Sequence, residues 1–172
     1  MNWEYGAAVE SSAVPLPVPA PYVDGAFVDG ASVGGGATVA ALNPATEGPL
    51  VQVGTAGRPE VERAVTAARR AQVPWAALPG ADRAHVLFRF ARVVAGRASD
   101  LAVLETLGTG RPIRLTRDVD LPAAVAHQQS CAGWADNLGY AGHGPAPRPV
   151  GVVGASVTGG SPQLGAVRRI GP

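Results

Sequence analysis

The sequence predicts an α/β chain, α+β over the length it spans: a small antiparallel sheet, a layer of helices, then the opening strand and helix of a second sheet. Three observations carry this. Between residues 22 and 53, β-forming residues are punctuated by Asp-Gly, Asn-Pro and Gly-Pro turns. From Val61 to Leu138, apolar residues recur at helical spacing. Finally, Pro149-Val-Gly-Val-Val-Gly154 reads as a short buried strand closed by a glycine turn.

Taken in order, residues 1–21 form an expected flexible arm. Pro15, Pro17, Pro19 and Pro21 each fix φ and remove a donor, so this stretch is extended. Tyr22-Val-Asp-Gly-Ala-Phe-Val28 is a hairpin signal, with Asp24-Gly25 as the turn. Thr38–Leu42 and Leu50–Val53 are expected to complete one small sheet, linked by turns at Asn43-Pro44 and Gly48-Pro49. Pro59 suits a first helical turn, with Glu60 and Glu62 near the positive end of that helix and Arg69 and Arg70 towards the negative one. Trp75 is expected to anchor a loop between helices. A second helix from about Asp82 places Val86, Leu87, Phe90, Val93 and Val94 on one face. Ser99 is an expected cap for a third, which carries Leu101, Leu104 and Leu107 and stops at Gly108. A fourth, from about Pro122, aligns Ala124, Cys131, Trp134 and Leu138 and ends at Gly139. Asp118 and Asp120 read as a helix-start pair.

The bulk numbers narrow the classes of function. A chain of 172 residues holds one core, or one domain and a tail. All 14 basic residues are arginine, yet the net charge is +1, so neither nucleic acid nor an anionic membrane surface is an expected partner. No apolar run is long enough to span a bilayer, and the N-terminus lacks the pattern of a secretory signal. One cysteine, Cys131, excludes an intrachain disulfide framework and fits a reducing, cytoplasmic setting. Its place on an apolar stripe predicts burial rather than nucleophilic work. His85, His127 and His143 share no metal-ligand spacing, and no metal site is expected.

Several phrases share one order and spacing with a known family. The hairpin followed by Asn43-Pro-Ala-Thr46, the segment Leu104-Glu-Thr-Leu-Gly-Thr-Gly-Arg-Pro112, the helix end Ala132-Gly-Trp-Ala-Asp-Asn-Leu-Gly139 and the strand Pro149–Gly154 together resemble the aldehyde dehydrogenase superfamily. The resemblance is dense from Tyr22 to Gly154 and covers the leading part of a family chain. It implies an aldehyde dehydrogenase-like N-terminal region at 22–154. Residues 155–172 would then be a degenerate start of the Rossmann-like cofactor domain, with its first helix. The family's longer segment at Tyr140–Arg148, often used in oligomerisation, is shortened here.

The resemblance also implies a chemistry. The family oxidises aldehydes to carboxylic acids with NAD or NADP: a cysteine thiolate attacks the carbonyl, hydride leaves for the nicotinamide, and water activated by a glutamate releases the acid. An asparagine in the phrase P-W-N-F-P donates to the oxyanion. In register, Gly159 stands at the tryptophan and Gly160 at the asparagine. Backbone groups of Val157, Thr158 and Gly159 stand where the family contacts its cofactor. The nucleophile and the glutamate lie beyond Pro172 in the family. The resemblance therefore implies an N-terminal fragment that is inactive alone, has no catalytic residue of its own and has a doubtful hold on cofactor.

Two other readings compete. One is a non-catalytic module that docks on a full-length aldehyde dehydrogenase subunit or self-associates, prompted by the apolar stretch Val150–Gly154. The other takes Gly154-Ala-Ser-Val-Thr-Gly-Gly-Ser161 as a phosphate loop, but Gly160 stands where that loop needs its lysine.

Overall fold

Tyr22–Val23 (β1) and Ala26–Phe27 (β2) pair as a hairpin in the computed structural model, which describes residues 20–28, 38–140, 148–157, 159–160, 162–167 and 169–170. Most of the expected arm, residues 1–19, lies outside them. Asp24 and Gly25 both take positive φ, 55° and 83°, the geometry that a two-residue turn between twisted strands requires. Across the hairpin the Tyr22 and Phe27 rings meet edge to face at 5.0 Å. Arg70 Nη2 donates to both carboxylate oxygens of Asp24 at 2.6 Å, which ties the hairpin to the first helix.

Thr38–Leu42 (β3) and Pro49–Gly54 (β4) are antiparallel, in register from Thr38 opposite Gly54 to Leu42 opposite Pro49, with an irregularity between Ala41 and Leu42. Asn43 builds the turn between them. Its Oδ1 accepts from Ala45 N at 2.9 Å, and its backbone exchanges bonds with Glu47 and Gly48. The two hairpins are separate two-stranded sheets, not the single sheet expected. The two-residue strands β1 and β2 dock on a helix instead of on β3.

Helix α1 spans Arg58–Ala77. Pro59 occupies its first turn, and Glu60 reaches back so that Oε2 accepts from Gly57 N at 2.8 Å. Trp75 is not in a loop. Pro74 sits late in the helix, which continues through Trp75 and closes with Leu78 N donating to Trp75 O. Helix α2, Gly80–Gly96, buries Leu87, Ala91 and Val94, while Val86 and Val93 face out at 49% and 59% exposure. Helix α3, Ala98–Thr109, starts directly after Arg97 with no side-chain cap, so Ser99 lacks its expected role. It runs past Gly108 to a left-handed cap at Gly110, φ 72°.

A short turn α4, Ile113–Leu115, leads through a π-helical turn, Thr116–Asp120, into helix α5, Leu121–Trp134. The buried Thr116 hydroxyl lies 3.0 Å from Ile113 O, 3.3 Å from Ala102 O and 3.0 Å from Thr106 Oγ1. The two aspartates expected as a pair part company. Asp120 is buried and takes two bonds from Arg111, whereas exposed Asp118 pairs with Arg117. The Arg117 guanidinium, followed by the Arg114 charge, holds the Asp118 carboxyl below its usual range despite slight desolvation. Helix α5 buries Leu121, Ala124, Gln128 and Ala132, with Ala135 just beyond. The expected stripe is therefore rotated: Cys131 is half-buried and Trp134 is 48% exposed. Small alanines on the inner face let α2 and α5 approach, and Leu87 packs with Ala132 and Ala135.

Glycines seat the recurring phrases on one another. A Cβ on Gly110 would stand 2.8 Å from Pro44 Cγ, so the Asn43–Thr46 turn rests on the end of α3. A Cβ on Gly80 would stand 2.7 Å from Ala135 O and Asp136 Cα, so the start of α2 abuts the end of α5. Helix α6, Pro162–Val167, lies against α5 and touches α3. The stretch 148–157 before it has no strand pairing. A parallel strand needs neighbours for its backbone groups, and no described strand stands beside this one.

Candidate functional site

Of the residues expected to meet a cofactor, Val157 and Gly159 lie in sequence between the unpaired stretch that starts at Arg148 and α6. Val150 is 95% exposed and Val153 71%, and Gly151 takes φ 117°, a conformation that favours glycine. Val157 is held: its Cγ1 would stand 2.8 Å from a Cβ on Gly165, so the turn presses on the second half of α6. Gly154, Gly159 and Gly160 have no heavy atom within 4 Å of where a Cβ would lie. Their backbone faces open space, which suits close approach by a ribose or phosphate. Thr158 lies outside the described residues.

An open cleft of about 430 Å³ lies elsewhere, between the β1–β2 hairpin and α1, lined by Val23, Asp24, Glu62, Arg63, Thr66 and Arg70. None of the expected cofactor residues lines it. Among the described residues no group of three metal-ligating side chains converges, and no helix is long and apolar enough to cross a membrane. Expected burial of Cys131 is corrected to half-burial, with Sγ 3.5 Å from His127 Nε2 one helical turn earlier. The i, i+4 spacing of that pair was the signal for the contact. His143, like Thr158, falls outside the described residues.

Sequence reasoning missed Gln128. It is fully buried on α5, and its amide nitrogen, in the orientation its neighbours require, donates to Val167 O at 3.1 Å and Ile170 O at 3.0 Å. The end of α6 is thus tied to the helical layer.

With this geometry in place, the comparison with known proteins is decisive. Residues 31–170 match the model of the aldehyde dehydrogenase family. The chain belongs to that family. It is 35% identical over 164 residues to DhaS of Bacillus subtilis (strain 168), provisionally named an aldehyde dehydrogenase, covering 87% of this chain and 32% of DhaS. The gamma-glutamyl-gamma-aminobutyraldehyde dehydrogenase of Burkholderia cenocepacia J2315 superposes with a TM-score of 0.67 at 33% identity, over 73% of this chain and 25% of that one. An aldehyde dehydrogenase of Bacillus cereus, solved with NAD+, gives 0.61 at 36% identity, over 66% and 23%. This chain thus spans about a third of the length of the curated relative.

Proposed function

We propose that these residues are the leading framework of an NAD(P)-dependent aldehyde-oxidising enzyme, and that they do not oxidise aldehydes unaided. The observation that carries this reading is the turn at 157–160. The backbone of Gly159 and Gly160 is open to a ligand, but Gly160 brings no side-chain donor to the position where the family places its oxyanion asparagine. Losing one such donor lowers turnover by about 10²–10³-fold.

When bound, the nicotinamide would take up hydride from the substrate. The residues present do something narrower. Val157, Thr158 and Gly159 offer backbone groups along one side of the cofactor, and α6 backs the turn. Ligand at ten times its dissociation constant stabilises the folded state by about 1.4 kcal/mol. A thermal melt of the chain with 0 to roughly 10 mM NAD or NADP tests this through a saturable rise in Tm. A flat response would refute the cofactor turn.

A second reading is favoured by one observation. Val150 and Val153, exposed and without strand partners among the described residues, present an apolar edge. On this reading the chain is a non-catalytic module that adds that edge to a full-length aldehyde dehydrogenase subunit, or to a second copy of itself. Co-purification with such a subunit, lost in Val150→Asp with Val153→Asp, supports docking. A chain that stays monomeric and unpartnered in the mixture excludes it.

A further inference from the structure

We infer that Gln128 is a positioning residue for the cofactor turn, acting through α6. The inference rests on the reading of residues 157–159 as that turn. Helix α6 has only six residues, far too few to hold itself together in water. Its last carbonyls have no partner within the helix, as at any helical C-terminus. Val167 O accepts from Ile170 N just past the helix, and the Gln128 amide nitrogen adds a second bond to it and one to Ile170 O in the segment that follows. The amide sits on the inner face of α5 between Ala124 and Ala132, all three fully buried. A polar group in such surroundings is costly unless bonded, so its two bonds to α6 are what justify a glutamine there.

The link continues to the turn. Val167 is itself buried against the layer, and two residues earlier Gly165 receives the Val157 side chain. Contact thus runs from Gln128 to the end of α6, along α6 to Gly165, and from Gly165 to Val157. Loosening α6 releases Val157 and blurs the backbone groups beside it. Gln128 touches no cofactor in this account; it sets where the turn stands.

The test uses the full 172-residue chain and Gln128→Met, which keeps the side chain's length and deletes both donors. Amide exchange at Arg169 and Ile170, which donate to Ala166 O and Val167 O, reports α6 directly. The expected result is a roughly hundredfold fall in their protection, about tenfold for each lost bond. Amides in α2 and α5 stay protected, the urea midpoint moves little, and the NAD-dependent rise in Tm seen for the unsubstituted chain disappears. A purely packing role predicts the opposite, since methionine fills the same space. Retained α6 protection in Gln128→Met would refute the assignment, and so would unfolding of the whole chain. Absence of any NAD response in the unsubstituted chain would instead refute the cofactor reading on which it rests.

Discussion

Gly80 offers a sharp check on how the helical layer is assembled, because its first-turn position in α2 is pressed against the backbone that ends α5. An added methyl would stand 2.7 Å from Ala135 O, Asp136 Cα and Asp136 Oδ1. Two of these are backbone atoms, which a rotamer change cannot move aside. Gly80→Ala must therefore push α2 away from α5 at the point where Leu87 packs with Ala132 and Ala135. Overpacking of this kind costs about 1–3 kcal/mol. In a chain of this size that is a fall in Tm of roughly 2–4 °C per kcal/mol. Gly96, at the other end of the same helix, is the internal control. A Cβ there meets nothing within 4 Å, so Gly96→Ala gains helix propensity, up to about 1 kcal/mol, without a clash. Urea unfolding followed by far-UV circular dichroism reads both variants on one scale. The two substitutions should move the midpoint in opposite directions. A Gly80→Ala chain as stable as the parent would refute the close α2–α5 approach.

Other consequences follow from single contacts. Arg111→Met leaves the buried Asp120 carboxylate without its two bonds and should cost about 3 kcal/mol by urea unfolding, towards the low end for buried pairs because the guanidinium is one-third exposed. Gly110→Ala meets both the strain of φ 72° and the Pro44 ring, and should cost more than about 1 kcal/mol; Pro44→Ala should relieve part of that cost in the double variant. Leu121→Ala, at a side chain 1% exposed, should destabilise by about 2–5 kcal/mol, whereas Val93→Ala on the outer face of α2 should change little. Asp118 has its folded pKa held below the ordinary 3.8 by Arg117, so its contribution is present above that value and is lost as the pH falls below it. Asp118→Asn should flatten only this acid limb of the stability profile, and only slightly and in low salt, because the pair is exposed.

Much of this architecture is legible in the chain, and what is not has identifiable causes. Asp24-Gly25 announces its turn because few residues tolerate its backbone angles, and Asn43-Pro44 because the asparagine side chain bonds the backbone two residues on while proline fixes φ. The inner face of α5 was misplaced because apolar contrast is weak there. Ala124, Ala132 and Ala135 are buried for their smallness, while the larger Cys131 and Trp134 lie at the edge. Nothing local to Gln128 signals that the carbonyls of Val167 and Ile170 come to meet it. Pro74 reads as a breaker ahead of Trp75, yet the helix runs through it to Ala77 and forgoes the bond that residue 74 would donate one turn back. The apolar run Val150–Gly154 carries the composition of a buried strand, but pairing is a property of neighbours, and none is present among the described residues. Of the candidate site, the sequence supplies the proposed turn, Val157, Thr158 and Gly159, and the glycine in register with the family's asparagine; the contact of Val157 with Gly165 and the bonds of Gln128 to Val167 and Ile170 are tertiary matters.

The most direct test of the central claim, a family framework whose turn lacks the oxyanion donor, is NADH formation by a chimera. Residues 31–170 replace the matching leading segment of a full-length aldehyde dehydrogenase, and turnover is compared for Gly160 and Gly160→Asn. The account predicts a folded chimera with little turnover and a gain of about 10²–10³-fold on restoring asparagine. Equal turnover by both chimeras would contradict it.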